Sequence, residues 1–114
     1  MKVAYKIWID NNGKAFGEGP YRLLKLIEKT GSLHKAASQM DMSYRKALGI
    51  IQRAEDKLGI ILLKRKIGGE SGGGSTVTGD ARVFMEKYEV FIKELDEAIN
   101  SIFDKHFKKA QGNR

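Results

Sequence analysis

The stretch SLHKAASQMDMSYRKAL, residues 32–48, decides the fold because it holds two helix starts separated by a very short turn. A serine suited to an N-cap opens each half, Ser32 in the first and Ser43 in the second. The apolar residues of the first half follow the spacing of one helix face, and its paired alanines permit a close helix crossing. Only Asp41 and Met42 separate the two helices. The pattern predicts a helix-turn-helix, a motif whose second helix enters the major groove of DNA.

The second helix of this pair is predicted over 44–58, with Gly59 as its C-terminal cap. A helical wheel separates an apolar side, which faces the core, from a polar side. The polar side offers groups that hydrogen-bond to phosphates and base edges, and a glycine that lets the backbone approach a surface closely. We interpret it as a DNA-reading surface, with an ordinary solvated helix face as the alternative. Its residues are Arg45, Lys46, Gly49, Gln52, Arg53 and Asp56.

After this helix, two short strands flank a glycine-rich stretch and predict a β-wing. The strands are expected around 60–66 and 76–78, joined by the loop 68–75. Glycines in the loop let backbone N–H groups follow a phosphate backbone, and basic residues precede it. A nucleotide-binding enzyme loop is not indicated, because neither a Gly-Lys-Ser/Thr ending nor a Gly-x-Gly-x-x-Gly spacing is present. A loop without contact to DNA is the remaining alternative.

The N-terminal residues predict a small hairpin and one more helix. Residues 3–9 alternate between apolar and other side chains, which indicates a half-buried strand. The turn-forming residues 10–13 follow and indicate a β-hairpin. Pro20 suits the first turn of a helix over 20–30, which Gly31 ends.

A long C-terminal helix is predicted over 78–107, with Thr78 as its N-cap. Its apolar residues step alternately by three and four, which is a heptad-like seam. We predict a homodimer through this seam, because a helix of about 30 residues extends roughly 45 Å and outruns so small a domain. A helix absorbed entirely by its own core is the alternative. The predicted dimer interface consists of Phe84, Tyr88, Phe91, Leu95, Ala98 and Ile102.

Composition narrows the class of protein. The chain has 114 residues and a formal net charge of +7, enough for one modest core. Seven basic side chains lie in residues 43–66 against two acidic ones, which favours a polyanionic partner, although basic residues also serve solubility. Without cysteine, and with His34 and His106 far apart, we expect no metal site and no other cofactor. The chain carries no membrane-length apolar run and no secretory signal, so we expect a cytoplasmic protein without membrane contact.

These motifs resemble the winged helix-turn-helix of molybdate-responsive ModE-type transcriptional regulators, which is related to the DNA-binding domain of LysR-type regulators. The resemblance extends over about residues 19–88. The Ser-Tyr start of the second helix and the glycine-rich wing after a Leu-Gly ending separate the ModE-like pattern from LysR-like domains in general. The matching residues are Thr30-Gly31-Ser32-Leu33, Ala36-Ala37, Met42-Ser43-Tyr44-Arg45-Lys46-Ala47, Leu58-Gly59, Leu63, Arg65, the wing 68–74 and Val77-Thr78.

The resemblance implies sequence-specific binding of a palindromic DNA operator by a homodimer, with the helix from Ser43 in the major groove and the wing on the backbone. Ala81 departs from the glycine usual in the family, which leaves the helix start intact. Full ModE-type regulators carry molybdate-binding domains after the dimer helix, and we do not extend molybdate sensing to this chain. The candidate DNA contacts are Ser32, His34, Lys35, Ser43, Tyr44, Arg45, Lys46, Gly49, Gln52, Arg53, Lys64, Arg65, Lys66, Gly69, Ser71, Gly72, Gly73 and Ser75.

We therefore expect a mostly α-helical chain with a small amount of β-structure: a winged helix-turn-helix with an N-terminal β-hairpin and a long C-terminal dimerisation helix. Residues 1–80 are the expected DNA-binding part, 81–108 the dimer helix continuous with it, and 109–114 a disordered tail. The expected function is transcriptional regulation rather than catalysis, because no nucleophile, base or metal site can be recognised. The alternative is a protein-interaction module that uses the same fold without reading DNA.

Overall fold

A computed structural model describes residues 1–66 and 74–108, and of Lys66 the backbone alone. Helices dominate, and each of the two small sheets is an antiparallel hairpin. This architecture confirms the predicted fold class. The elements follow in the order β1 (Ile9–Asp10), β2 (Lys14–Phe16), α1 (Glu18–Thr30), α2 (Leu33–Gln39), α3 (Tyr44–Leu58), β3 (Leu63–Lys66), β4 (Gly74–Val77) and α4 (Gly79–Phe107).

The N-terminal hairpin is present, but its first strand is much shorter than predicted. β1 pairs with β2 across a turn in which Asn12 and Gly13 have φ values of 56° and 125°. The eight residues before β1 form no strand, so the prediction of a strand over 3–9 was wrong. β2 has only three residues and offers this segment no partner. The segment instead reaches α4, where the Tyr5 hydroxyl donates a hydrogen bond to the Asp96 carboxylate.

Helix boundaries lie at the caps that the sequence indicated. Ser32, Ser43 and Thr78 each accept a hydrogen bond from the backbone N–H three residues ahead, at 3.0–3.1 Å. Gly31 and Gly59 end α1 and α3 with φ values of 73° and 72°. This left-handed conformation favours glycine, which has no Cβ to clash with the neighbouring carbonyl. The predicted helix-turn-helix and the start of the long last helix are therefore confirmed.

Phe16 lies in the core where the hairpin meets α1, α3 and α4. The Phe16 ring is fully buried and meets Phe84 and Tyr88 of α4 edge-on, at centroid distances of 4.8 and 5.0 Å. The small Ala36 and Ala37 let α2 approach its neighbours closely. The ring contacts of Phe16 with Phe84 and Tyr88 join α4 to the rest of the fold. The buried cluster consists of Phe16, Leu23, Leu24, Ile27, Leu33, Ala36, Ala37, Ala47, Ile51, Ala54, Leu62, Val77, Ala81, Met85 and Tyr88.

The base of the wing rests against the turn between α1 and α2. β3 and β4 pair in antiparallel register, with Lys66 opposite Gly74. The Ser75 N–H donates to the Gly31 carbonyl at 2.9 Å. A Cβ on Gly74 would lie 2.8 Å from that same oxygen, closer than side-chain carbons approach real neighbours. The position of the wing therefore depends on glycine at 74.

The last helix extends beyond the core. α4 has 29 residues, and at 1.5 Å per residue it is about 43 Å long. Its buried residues end at Tyr88, and later positions are half-buried or exposed. The radius of gyration is accordingly 18.2 Å, against about 13 Å for a compact chain of this length. In the part of the chain that the structure describes, no helix is long and apolar enough to cross a membrane.

We expect Gly74→Ala to lower the free energy of unfolding by about 1–3 kcal/mol, because the added methyl group must push β4 away from the Gly31 carbonyl. Urea unfolding followed by circular dichroism measures the change. Gly79→Ala is the matched control, since a Cβ there meets no atom within 4 Å and alanine favours a helix. The control should keep or slightly raise stability. An equal loss in both variants would contradict the close approach at Gly74.

Candidate nucleic-acid interface

The polar side of α3 is exposed as predicted and holds five of the candidate DNA contacts. Ala47, Ile51 and Ala54 are buried on the opposite side, which sets the rotation of the helix about its axis. Gly49 is half-buried, and no atom lies within 4 Å of the place where a Cβ would be. This helix side can therefore lie flat against another surface. Its exposed side chains are Arg45, Lys46, Gln52, Arg53 and Asp56.

The basic side chains of this surface are not neutralised by acidic partners within the described residues. The ion pairs found there join Lys25, Glu28, Arg82 and Glu89, all on α1 and α4. None of them includes a residue of α3, β3 or β4. Unpaired positive charges grouped on one side of a protein attract anions through the summed field. The exposed side of α3 is therefore suited to a polyanion.

Tyr44 joins α2, α3 and the wing. Its ring stacks on His34 of α2, with 3.9 Å between ring centroids and 14° between the ring planes. Its hydroxyl accepts a hydrogen bond from the Arg65 guanidinium of β3 at 2.9 Å. The sequence predicted all three as DNA contacts without relating them to one another. The structure brings them together, and the cluster sets the first turn of α3 relative to β3.

The two N-cap serines bracket α2 and its turn. Ser32 and Ser43 use a hydroxyl oxygen to accept a cap hydrogen bond, which leaves each hydroxyl proton free to donate elsewhere. Ser43 and Lys35 are exposed and Ser32 is half-buried. Between the helices, the Met42 N–H donates to the Ala37 carbonyl at 3.0 Å, which holds the turn tightly. Two of these predicted contacts lie at the start of α2 and the third, Ser43, at the start of α3.

The wing supplies some of its predicted contacts within the described residues. Lys64 and Arg65 are exposed on β3, and Ser75 is half-buried on β4. Because the Ser75 N–H already donates to Gly31, only the Ser75 side chain is available to a ligand. The side chain of Lys66 lies outside the described residues. So do the predicted contacts of the wing tip: Gly69, Ser71, Gly72 and Gly73.

Glu55 has a role that its sequence context did not indicate. Its carboxylate accepts the backbone N–H groups of Leu62 at 2.8 Å and of Leu63 at 3.3 Å. β3 begins at Leu63 and not near Ile60, where the sequence predicted it, and Glu55 ties the start of the strand to α3. The available signal was the position of this acidic residue beside Ile51, on the half-buried side of α3.

The N-terminal hairpin holds the other end of α3. The Lys57 ammonium donates to the Asn12 carbonyl at 2.6 Å, and the Asn11 side-chain amide donates to the Lys57 carbonyl at 2.8 Å. The sequence did not predict this pair of contacts. Together with the Tyr44 cluster, they anchor α3 at both ends and leave the polar side of its middle exposed.

The predicted dimer seam of α4 divides into a buried part and an accessible part. Tyr88 is 7% exposed and Phe84 is half-buried, and both rings pack on Phe16. Because the chain's own core already covers most of these two rings, they have little surface left for a partner. The remaining seam residues are half-buried or exposed: Phe91, Leu95, Ala98 and Ile102.

Two curated proteins named ModE are similar in sequence. The chain is 29% identical over 93 residues to the molybdenum transport protein ModE of Azotobacter vinelandii, covering 82% of this chain and 34% of that protein. It is 30% identical over 83 residues to the transcriptional regulator ModE of Haemophilus influenzae, covering 73% of this chain and 32% of that protein. The chain thus spans about a third of the length of these relatives. No family model matches the sequence.

Solved structures of DNA complexes are similar in fold. BenM_DBD, solved with benA site 1 DNA, aligns with a TM-score of 0.55 and 19% identity, covering 79% of this chain and 96% of its own. Vibrio fischeri DarR, an LTTR family member solved with DNA, aligns with a TM-score of 0.56 and 18% identity. The alignment covers 76% of this chain and 28% of the DarR chain. The chain has the winged-helix fold of ModE- and LysR-type DNA-binding domains. The resemblance drawn from the sequence is confirmed.

In this ModE-like winged helix, α2 and α3 form the helix-turn-helix, and β3 and β4 form the wing. The cluster around Tyr44 lies at the junction of these two parts, because it includes one side chain from each element: His34, Tyr44 and Arg65. The orientation of α3 relative to the wing is therefore set by side chains that also lie on the exposed surface.

We expect the hydrogen bond between Arg65 and Tyr44 to contribute about 0.5–1 kcal/mol, since it is exposed to solvent. Tyr44→Phe keeps the ring that stacks on His34 and removes the hydroxyl, while Arg65→Gln removes the guanidinium. A double-mutant cycle by urea unfolding should return a coupling energy of that size. In the control cycle, Lys64→Gln should show no coupling to Tyr44→Phe. Absence of coupling at Arg65 would refute the bridge.

Proposed function

We propose that the chain is a DNA-binding transcriptional regulator that reads a palindromic operator as a homodimer. The main supporting observation is the unpaired positive surface on α3 and β3 within a winged-helix fold. The relative in Haemophilus influenzae is a transcriptional regulator, and the similar folds were solved on DNA. The proposed activity is binding and not catalysis.

In this proposal, α3 lies in the major groove and Gly49 lets its backbone approach the DNA. Arg45 and Gln52 have side chains that form paired hydrogen bonds to guanine and adenine edges, respectively. Lys46 and Arg53 neutralise phosphates on either side of the groove. The exposed side of the helix is therefore divided between sequence reading and positioning.

The short helix and the wing position α3 on the DNA backbone. Ser32 and Lys35 lie beside the start of α2, where hydroxyl and ammonium groups donate to phosphate oxygens. Lys64 and Arg65 do the same from β3. Arg65 is already bonded to Tyr44, so a phosphate that contacts it also stabilises the first turn of α3. Operator binding and the geometry of the helix start are coupled in this way.

The homodimer is proposed to form through the accessible part of the α4 seam. Phe91 is 44% exposed and Ile102 is 59% exposed, which is high for large apolar side chains. They are separated by the steps of four, three and four that place side chains along one helix face. A second copy packed on this face would bury them. Two α3 helices about 34 Å apart would then read half-sites one turn of DNA apart.

The proposed division of the chain follows from this arrangement. Residues 1–80 form the DNA-binding part, and 81–108 form the dimer helix, which continues from it without a linker. The first ten residues of α4 belong to both parts, because Ala81, Met85 and Tyr88 complete the core. The dimer helix is therefore rigidly attached to the part that reads DNA.

Selection of random duplex DNA by the purified protein, followed by sequencing at two salt concentrations, tests the DNA-binding proposal. We expect a palindromic motif that binds more weakly as salt rises, because phosphate contacts release counterions. Arg45→Glu/Lys46→Glu should weaken binding to the selected site by about 100-fold or more and reduce the salt dependence.

Lys105→Glu/Lys108→Glu is the matched control, because it makes the same change in net charge on exposed residues at the far end of α4. It should leave the recovered motif and the affinity largely unchanged. Failure to recover any motif, with weak binding equal in both variants, would favour the protein-interaction module over direct DNA reading.

Phe91→Glu tests the dimer proposal. A charge placed in an apolar interface is costly, so we expect the variant to sediment as a monomer at concentrations where the unmodified chain is a dimer. Val90→Glu is the control, since Val90 is 56% exposed on the same helix but points about 100° away. The measurement is analytical ultracentrifugation over a range of concentrations. An unmodified chain that sediments as a monomer throughout that range, or a Val90→Glu variant that dissociates as readily as Phe91→Glu, would refute this interface.

A further inference from the structure

A groove with a volume of about 780 Å³ lies between the N-terminal segment, the start of α1, α3 and the middle of α4. Small-molecule sites in proteins have volumes of about 300–1,000 Å³. The groove lies outside the surface proposed to bind DNA, with the exception of Arg53, which borders both. Its walls come from these four parts and from β2, so its shape depends on the folded arrangement of all five.

Aromatic side chains form much of the groove wall. The lining includes the chain's single tryptophan, Trp8, and three of its four tyrosines, Tyr5, Tyr21 and Tyr88. Trp8 is 48% exposed and Tyr5 is 39% exposed. The Lys14 ammonium lies 4.6 Å from the centre of the Trp8 ring, within range of a cation–π contact. A planar aromatic ligand would bury the remaining exposed surface of these rings.

The acidic side chains on the α4 wall are already engaged by tyrosines. The Tyr5 hydroxyl donates to Asp96, and the Tyr21 hydroxyl donates to Glu89. Burial and the hydrogen bond to Glu89 raise the pKa of Tyr21 to about 12, so this hydroxyl remains a donor at neutral pH. The Lys25 ammonium also lies 3.8 Å from the Glu89 carboxylate. The charge on this wall is therefore partly satisfied from within the protein.

The basic side chains that line the groove are in the opposite situation. Lys6, Arg53 and Lys93 make no ion pair among the residues that the structure describes. Lys14 is the fourth basic residue of the lining, and its acidic residues are Glu18, Glu89 and Asp96, so the cations outnumber the carboxylates by one. An unpaired cation beside aromatic walls favours an organic anion over a neutral or cationic molecule.

We propose that this groove binds a small aromatic carboxylate, with its ring against Trp8 and Tyr5 and its charged group toward Arg53 and Lys93. The aromatic walls supply the apolar contact area, and the guanidinium supplies paired donors for a carboxylate. The site opens to solvent, so a ligand can enter without rearrangement of the core.

Ligand binding is coupled to DNA binding through α3, a step that rests on the proposed function. Ile50, Arg53 and Ala54 of α3 line the groove, and Arg53 also belongs to the exposed side that faces DNA. One guanidinium cannot fully engage a ligand carboxylate and a phosphate at the same time. The ligand therefore weakens DNA binding, and by reciprocity DNA weakens ligand binding.

Calorimetric titration of the full chain with three matched probes tests the site: β-naphthoate, β-naphthylmethanol and β-naphthylmethylamine. We expect the affinity to decrease in that order. Arg53→Gln and Lys93→Gln should each weaken β-naphthoate binding by about threefold to tenfold and leave the alcohol unaffected. Trp8→Leu should weaken all three probes. Lys105→Gln is the control for lost charge, since Lys105 is exposed on α4 and does not line the groove.

Three results would overturn the proposal. They are the absence of β-naphthoate binding at millimolar concentration, tighter binding of the amine than of the carboxylate, and equal weakening by Lys105→Gln and Arg53→Gln. The titration is made on both the unmodified chain and Phe91→Glu, and the first result requires that neither binds, because a second copy covering the groove would block the unmodified chain alone.

The DNA step is tested separately, with the operator duplex selected above. Saturating β-naphthoate should weaken binding of the unmodified chain by about fivefold or more, and the effect should disappear in Arg53→Gln. Binding of the probe without any effect on DNA would overturn the coupling and leave the site. A chain that binds no DNA in the absence of ligand would refute the proposed function. The calorimetric titration would still show whether the groove binds β-naphthoate.

Discussion

The relative positions of α1, α2 and the wing depend on the backbone of Gly31. The left-handed conformation of Gly31 ends α1, and the next residue, Ser32, caps α2. The Gly31 carbonyl oxygen accepts a hydrogen bond from the Ser75 N–H of the wing. One peptide group therefore relates three elements that also pack against each other, α1 with α2 and α1 with β4. A side chain at 31 or 74 would disturb all of them, because the first position needs a positive φ and the second leaves no room for a Cβ.

With that junction in place, polar and aromatic contacts fix the two ends of α3, its apolar side packs in the core, and its polar side is left exposed between the ends. Tyr44 ties the first turn to α2 and β3, and Lys57 ties the last turn to the hairpin. The anchoring contacts are hydrogen bonds and a ring stack to other elements, whereas the exposed basic groups between them have no acidic partner among the described residues. The orientation of α3 is therefore fixed by contacts that do not involve its exposed basic side chains. Those charges remain available to an external anion.

The sequence predicted the elements whose signals are local and failed where a distant partner decides. Ser32, Ser43 and Thr78 indicate helix starts because a cap hydrogen bond joins groups only three residues apart. Each of them forms that hydrogen bond. The alternation in residues 3–9 has the right period for a strand, but periodicity cannot supply the neighbouring strand that is missing. Glu55 is unremarkable in sequence, yet it bonds to amides seven and eight residues away. In the same way, the seam of α4 could be located by its spacing, but not the point at which the core ends and the accessible part begins.

Because α4 is long, small changes where it packs on Phe16 move its far end by several ångströms. The helix is held near one end by the contact of Phe84 and Tyr88 with Phe16, and its other end lies outside the core. It therefore acts as a lever arm: Phe107 lies about 29 Å beyond Tyr88 along the helix, so a tilt of about 10° at the aromatic contact displaces it by roughly 5 Å. Small changes in ring packing near the hairpin are magnified at the far end. In any assembly built on that end, the separation of two copies is governed by contacts made deep inside each one.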